Sequence, residues 1–173
     1  RLWFIYVGFT LAETILLSVA GMSFFDAINH AMSTWSTGGF STKNSSVAYW
    51  NDTPLIQYII TFFMLIAGTN FVLSYFAFTG KIQKILRDQE FMFFIKFIAV
   101  VTLLVTVILY STVDITKSSF EHPQVLGIFE SSFRHAFFQI VAVITTTGFV
   151  SADFTSWTPF LTILFFGLMF MGG

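Results

Sequence analysis

The chain contains no cysteine among its 173 residues, and it has only three prolines and three histidines. Without cysteine, a disulfide framework and a thiolate metal site are both excluded, and the redox compartment cannot be read. His30, His122 and His135 do not have the spacing of metal ligands, so a zinc site is not expected. We expect no resident cofactor.

Charged side chains are scarce at 10% of the residues, whereas a soluble domain carries about a quarter. Hydrophobic residues make up 55% of the chain, phenylalanine alone occupies 25 positions, and the mean hydropathy is +0.80. This composition predicts an integral membrane protein in contact with lipid. The net charge of −1 and the absence of a basic tail argue against a nucleic-acid partner.

Three apolar runs are long enough to cross a bilayer, which takes about 20 residues. They cover residues 2–20, 55–78 and 91–110, and a fourth run begins at Phe160. No small-residue cleavage site follows the first run, so we expect a spanning helix there and not a signal peptide. Both ends of the sequence fall in apolar runs, so we expect a fragment of a longer membrane protein.

Two shorter apolar segments, residues 23–35 and 128–144, are each followed by a strip of small hydroxyl and glycine residues that ends in phenylalanine. The first strip is residues 36–40, STGGF, and the second strip is residues 145–149, TTTGF. Each strip is followed by a polar loop, a proline and a long apolar run. Ser23, with Asp26 three residues later, predicts the start of the first short helix.

The order of these segments is an internal repeat. When Phe40 is placed on Phe149, Gly39 meets Gly148, and a second loop four residues shorter brings Pro54 onto Pro159. We therefore predict one unit at residues 1–80, a charged cytoplasmic linker at 81–90 and a second, truncated unit at 91–173. Five Lys and Arg residues on the linker side against three on the other place both strips outside.

Glycines in left-handed conformations let successive carbonyl groups point the same way. A row of such oxygens can replace the water shell of a cation, and the short helices would aim their partially negative C-terminal ends at it. Neither strip contains an acid, which favours a weakly hydrated monovalent ion over Ca²⁺.

Several alternatives stay open from the residues alone. A carrier for an organic solute, or another ion-coupled secondary transporter, also uses re-entrant or broken helices. An enzyme would need a nucleophile–base pair or a carboxylate dyad among the helices, and Glu13 is the one acid inside a predicted span, so we expect no enzyme. Glu13 is either paired locally or an ion relay. Asn70 either faces a pore or bonds a neighbouring helix, and Arg134 is expected to anchor at the membrane interface.

The patterns STGGFST and TTTGF, the Arg87-Asp88 pair ahead of Glu90-Phe91, and the closing Met-Gly-Gly resemble the Trk/Ktr/HKT superfamily of potassium transporters, most closely its bacterial TrkH type. The resemblance implies an all-α, multi-pass protein of the bacterial inner membrane. It implies four span, pore-helix, filter-loop, span units around one pore, of which this chain would be the second and most of the third. It further implies potassium uptake, either channel-like or by symport, with potassium as substrate.

The resemblance also implies which residues act. The ion-binding carbonyls would belong to Thr37, Gly38, Gly39, Thr146, Thr147 and Gly148, and a gate or pore lining would include Asn70, Gly172 and Gly173. Implied partners are a second copy of the protein and a cytoplasmic nucleotide-binding regulatory subunit.

Overall fold

The computed structural model describes residues 2–69, 88–112 and 126–172. Every regular element in these ranges is a helix, so the predicted all-α class is confirmed. The α-helices are α1 Leu2–Val19, α2 Phe24–Trp35, α3 Pro54–Ala67, α4 Gln89–Thr112, α5 Ile128–Ile144 and α6 Pro159–Gly172, with 3₁₀ turns at Ser46–Trp50 and Phe154–Ser156.

The two halves of the chain repeat one order: long helix, short helix, strip, 3₁₀ turn and proline-opened helix. Pro54 and Pro159 are the first residues of α3 and α6. Proline is tolerated at this position because the first N–H of a helix has no hydrogen-bond partner within the helix. Ser23 caps α2 as predicted, since its Oγ accepts the Asp26 N–H at 3.1 Å and donates to the Asp26 carboxylate at 2.9 Å.

The predicted span at residues 55–78 is interrupted, because α3 ends at Ala67. The Gly68 N–H still bonds the Met64 carbonyl at 2.8 Å, and the Thr69 hydroxyl satisfies the Ile66 carbonyl at 2.7 Å. Hydropathy does not reveal this end, since the run stays apolar beyond it. Residues 70–87 lie outside the described ranges.

The apolar helices differ in whether they are long enough to cross a bilayer. Within the described ranges, Gln89–Thr112 is the one helix that is long and apolar enough to cross by itself, and α1, α3 and α6 are shorter apolar helices. Each long helix packs on the short helix of its own unit, α1 on α2 and α4 on α5, and α3 packs on both short helices. The outer faces carry exposed apolar side chains such as Val19, Leu103 and Phe170, as expected against lipid.

Candidate functional site

The same backbone hydrogen bonds connect the start of each strip to the end of its short helix. In the first strip the Ser36 N–H bonds the Met32 carbonyl at 3.1 Å and the Thr37 N–H bonds the Thr34 carbonyl at 3.1 Å. The second strip repeats this pair at positions 109 residues later, from Thr145 to Val141 at 2.9 Å and from Thr146 to Val143 at 3.1 Å. The sequence repeat is therefore also a repeat of local geometry.

The same positions of each strip are left-handed. Thr37 and Thr146 have φ of 49° and 57°, and Gly39 and Gly148 have φ of 67° and 78°. The residues between them, Gly38 and Thr147, are not left-handed. Such alternation places successive N–H groups on one side of the chain and the carbonyl groups on the other.

The N–H side of each strip faces its own short helix. The Gly38 N–H bonds the Ser33 carbonyl at 2.8 Å, and the Gly148 N–H bonds the Ala142 carbonyl at 3.0 Å. Among the described residues, no hydrogen bond ends on the carbonyl oxygens of Thr37, Gly38, Thr147 or Gly148. The hydrogen-bonding capacity of these oxygens is therefore not used by the described part of the chain.

The two strips lie in backbone contact with each other. A Cβ atom added to Gly39 would lie 2.1 Å from the Thr147 carbonyl oxygen and 3.0 Å from the Gly148 carbonyl carbon. The position admits no side chain, because both atoms belong to backbone. The structure thus brings Gly39 of the first strip against Thr147 and Gly148 of the second.

Side chains at the start of each short helix tether the segment after the strip. In the first unit the Thr42 hydroxyl and Lys43 Nζ, the latter at 3.5 Å, contact the Asp26 carboxylate. The Thr42 hydrogen bond, with smaller contributions from Ser23 and Lys43, lowers the pKa of Asp26 against the opposing effect of desolvation. The equivalent pair of the second unit is His135 and Ser151, with Nδ1 and Oγ 3.2 Å apart.

A second tether in the first unit joins the short helix to the residue just after the strip. His30 Nε2 and the Ser41 Oγ are 2.9 Å apart, and His30 Nδ1 lies 2.7 Å from the Asp26 carbonyl oxygen. In the second unit Gln139 occupies the position of His30 and donates to Ser151 at 3.4 Å.

Contacts between the units form around Phe149 and Val150. The Ala48 N–H bonds the Val150 carbonyl at 3.0 Å, and the Val150 N–H bonds Ser46 Oγ at 3.2 Å. The Phe149 ring is 1% exposed and stacks on His30 with ring centroids 5.7 Å apart. Its equivalent in the first strip, Phe40, is 80% exposed.

Arg134 is buried at 1% exposure, so the expectation that it anchors at the membrane interface is wrong. Its Nε donates to Glu130 at 2.9 Å, and its Nη1 donates to Gln57, which in turn donates to Asn51. A guanidinium that is removed from water needs such partners, and the nearest acceptors lie on α5 and α3. Sequence reasoning missed this network, although Gln57 in an apolar run was its signal.

The remaining predicted residues are only partly described. Asn70 and Gly173 lie outside the described ranges, and Gly172 is the last residue of α6. In the part of the chain that the structure describes, no cluster of His, Asp or Glu could hold a metal ion.

The model of the TrkH family, described as cation transport protein, matches residues 1–173. The chain belongs to this family. The TrkH potassium uptake protein of Salmonella typhimurium is 38% identical over 173 residues, which cover 99% of this chain and 33% of that protein. The TrkG potassium uptake protein of Escherichia coli is 35% identical over 176 residues, with the same coverage.

A crystal structure of the potassium transporter TrkH from Vibrio parahaemolyticus is similar, with a TM-score of 0.81 and 32% identity over 96% of this chain and 34% of that one. The chain thus spans about a third of the length of the TrkH relatives it matches. Membership of the TrkH family confirms the recognition from sequence, the membrane-protein fold class and the multi-pass location in the bacterial inner membrane.

Proposed function

We propose that the protein of which this chain is a part takes up potassium, and that the two strips supply half of a carbonyl-lined constriction. The observation that carries the proposal is the pair of strips in mutual contact, with the same alternating dihedrals and with carbonyl oxygens that accept no bond from the described residues. The names of the relatives, potassium uptake proteins, agree with it.

The chemistry of the strips favours a monovalent cation. Peptide oxygens carry no formal charge, whereas Ca²⁺ sites generally include carboxylates, and neither strip contains one. The strips begin at the C-terminal ends of α2 and α5, whose terminal carbonyls carry partial negative charge. An anionic organic solute would instead prefer helix N-termini. Potassium is then a transported substrate, and no catalytic step is part of the proposal.

The organisation of the whole protein belongs to the same proposal. Residues 1–80 and 91–173 form two pore units joined by a cytoplasmic linker at 81–90, and two further units complete the ring. Asn70, Gly172 and Gly173 are the proposed gate or pore-lining residues, on the strength of the resemblance. A second copy of the protein and a cytoplasmic nucleotide-binding subunit are the proposed partners, on the strength of the resemblance. Whether uptake is channel-like or coupled to another ion is decided by a flux measurement against an imposed gradient of that ion.

The test uses the full-length protein in a bacterial host that lacks its own potassium uptake, and in proteoliposomes loaded for K⁺ and Na⁺ flux. Gly39→Ala is expected to abolish growth at low potassium and to reduce K⁺ flux by at least about tenfold, since a 2.1 Å contact with backbone forces the strips apart. Gly148→Ala should lose less, because its added Cβ meets no atom and only the left-handed φ is strained.

Gly167→Ala is the matched control. Gly167 lies inside α6, an added Cβ there meets nothing within 4 Å, and alanine favours a helix. This variant should transport like the wild type. Normal K⁺ flux and K⁺/Na⁺ preference in Gly39→Ala would reject the strips as the constriction. Transport of an organic cation by the wild type, without K⁺ flux, would favour the solute carrier.

A further inference from the structure

Glu13 is a fully buried acid that the strips and their tethers do not use. It lies in α1 with 0% exposure, and its carboxyl group sits beside Thr34 and Trp35 at the end of α2. Neither carboxyl oxygen has hydrogen-bond geometry to any partner among the described residues. Because buried polar groups are nearly always bonded, an orphaned carboxyl group at this depth requires an explanation.

Trp35 is the complementary orphan. It is the last residue of α2, directly before the first strip, and it is 6% exposed. Its ring stacks on Phe9 at 4.8 Å between centroids and meets Phe63 edge-on at 6.3 Å, so it joins α1 to α3. Its indole N–H is buried and has no acceptor in the described parts of the chain. The Thr34 hydroxyl already donates to the His30 carbonyl at 2.9 Å, which leaves the indole as the free donor beside Glu13.

The second unit shows what the helix packing alone requires. Residues 10–17, TLAETILL, match residues 102–109, TLLVTVIL, and the burial matches too: Leu17 and Leu109 are both 0% exposed. Glu13 then corresponds to Val105, which is also 0% exposed. At the other side of the contact, Trp35 corresponds to Ile144 by the offset of 109 residues that relates the strips.

One polar pair in the first unit therefore stands where the second unit has an apolar pair. In the second unit the long helix packs on the short helix with Val105 buried at this position, so the packing itself needs no carboxyl group. Burying Glu13 and the indole N–H costs free energy unless the two groups bond each other. Such a cost at one unit and not at its repeat indicates a role specific to the first strip.

We propose that Glu13 is a positioning residue: a small adjustment of the two side chains closes a hydrogen bond from the Trp35 indole to the Glu13 carboxyl group, and this bond fixes the start of the first strip for potassium. Either protonation state of the carboxyl group can accept this bond, so the role does not depend on charge. The inference rests on the proposed function, because it assigns Glu13 a part in the ion preference of the same constriction. The Glu13–Trp35 hydrogen bond would make the first strip stiffer than the second. The first strip would then contribute more than the second to the preference for K⁺ over Na⁺.

The test measures the K⁺/Na⁺ flux ratio of the full-length protein in proteoliposomes, with four variants. Glu13→Val reproduces the second unit and removes the acceptor, and Trp35→Phe removes the donor but keeps an aromatic ring. Each should lower the flux ratio by about threefold to tenfold, the range expected for the loss of one buried hydrogen bond. The double variant should fall no further than either single variant, because the two changes remove the same bond. Glu13→Gln keeps an acceptor oxygen and should retain the wild-type ratio.

Thr14→Val is the control for polarity in the same helix. The Thr14 hydroxyl donates to the Thr10 carbonyl of its own helix at 2.7 Å, so its loss leaves Trp35 untouched and the flux ratio unchanged. Protein yield and size-exclusion profiles are compared for all variants, and Trp35→Phe carries the test if Glu13→Val does not fold.

Three results would overturn the role of Glu13: an unchanged ratio in folded Glu13→Val or Trp35→Phe, additive effects in the double variant, or a loss in Glu13→Gln equal to that in Glu13→Val. The last result would point to the charge instead of the bond. Failure of the proposed function itself looks different, since then the wild type shows no K⁺ flux and Gly39→Ala changes nothing.

Discussion

At the scale of single residues, the unusual feature is that threonine takes left-handed dihedrals in both strips. Sequence reasoning assigned left-handed conformations to glycines, which holds for Gly39 and Gly148 but not for Gly38, and it did not foresee Thr37 and Thr146. A left-handed non-glycine residue costs roughly 1–2 kcal/mol and persists only where its surroundings hold it. Here the short helices hold it, since each threonine N–H is bonded to a helix carbonyl.

Asp26 gives a prediction about pH. The Thr42 hydroxyl, chiefly, lowers the pKa of Asp26 in the folded protein, whereas in the unfolded chain it is ~3.9. A lowered pKa stabilises the fold above the unfolded value, and this stabilisation is lost as pH falls through the folded value. We expect the wild type to lose more thermal stability than Asp26→Asn as pH falls below about 4, because the amide does not titrate. Parallel melting curves for the two proteins over this range would contradict the tether.

At the scale of elements, the sequence predicted those features that depend on local chemistry. The second short helix, Ile128–Ile144, has the predicted bounds, and Ser23, Pro54 and Pro159 start their helices as expected. Capping and proline geometry act within one turn, so they can be read from neighbouring residues. The burial of Arg134 depends on its contact with Gln57 of the other unit, which the sequence marks only as one polar residue in an apolar run. The end of α3 at Ala67 falls inside that same run, where hydropathy does not change.

The Arg134 network predicts how the units are held together. Arg134 bridges Glu130 on its own helix and Gln57 on α3 with two nitrogens of one planar guanidinium, and the ammonium group of a lysine lacks this fork. Arg134→Lys in the full-length protein should therefore lower stability by about 2 kcal/mol, measured by thermal unfolding in detergent.

Lys96→Gln is the control for the Arg134 variant, because Lys96 is an exposed cation on the apolar helix α4. It should melt like the wild type. Equal melting temperatures for Arg134→Lys and the wild type would show that the bridge between α5 and α3 contributes little.

At the scale of the whole molecule, the two phenylalanines that end the strips differ in burial. Phe149 is covered by His30 of the preceding unit, whereas Phe40 is 80% exposed. In the proposed ring of units, we expect the exposed Phe40 ring to be covered by another unit. This agrees with a chain that spans about a third of its TrkH relatives.

Gly68 offers the test of whether one unit positions the strip of the next. A Cβ at Gly68 would lie 2.5 Å from Thr145 Cγ2 and 2.8 Å from Thr145 Cβ, so Gly68→Ala should push the end of α3 against the second strip and reduce K⁺ flux. Thr145→Ser removes Cγ2 but keeps the hydroxyl that donates to the Val141 carbonyl at 2.8 Å, so alone it should be close to the wild type. Combined with Gly68→Ala it should restore part of the flux and not all, because the Thr145 Cβ contact remains. Flux in proteoliposomes for the two single variants and the double variant decides this, and equal losses in Gly68→Ala with and without Thr145→Ser would place the effect of Gly68 within α3 instead of between the units.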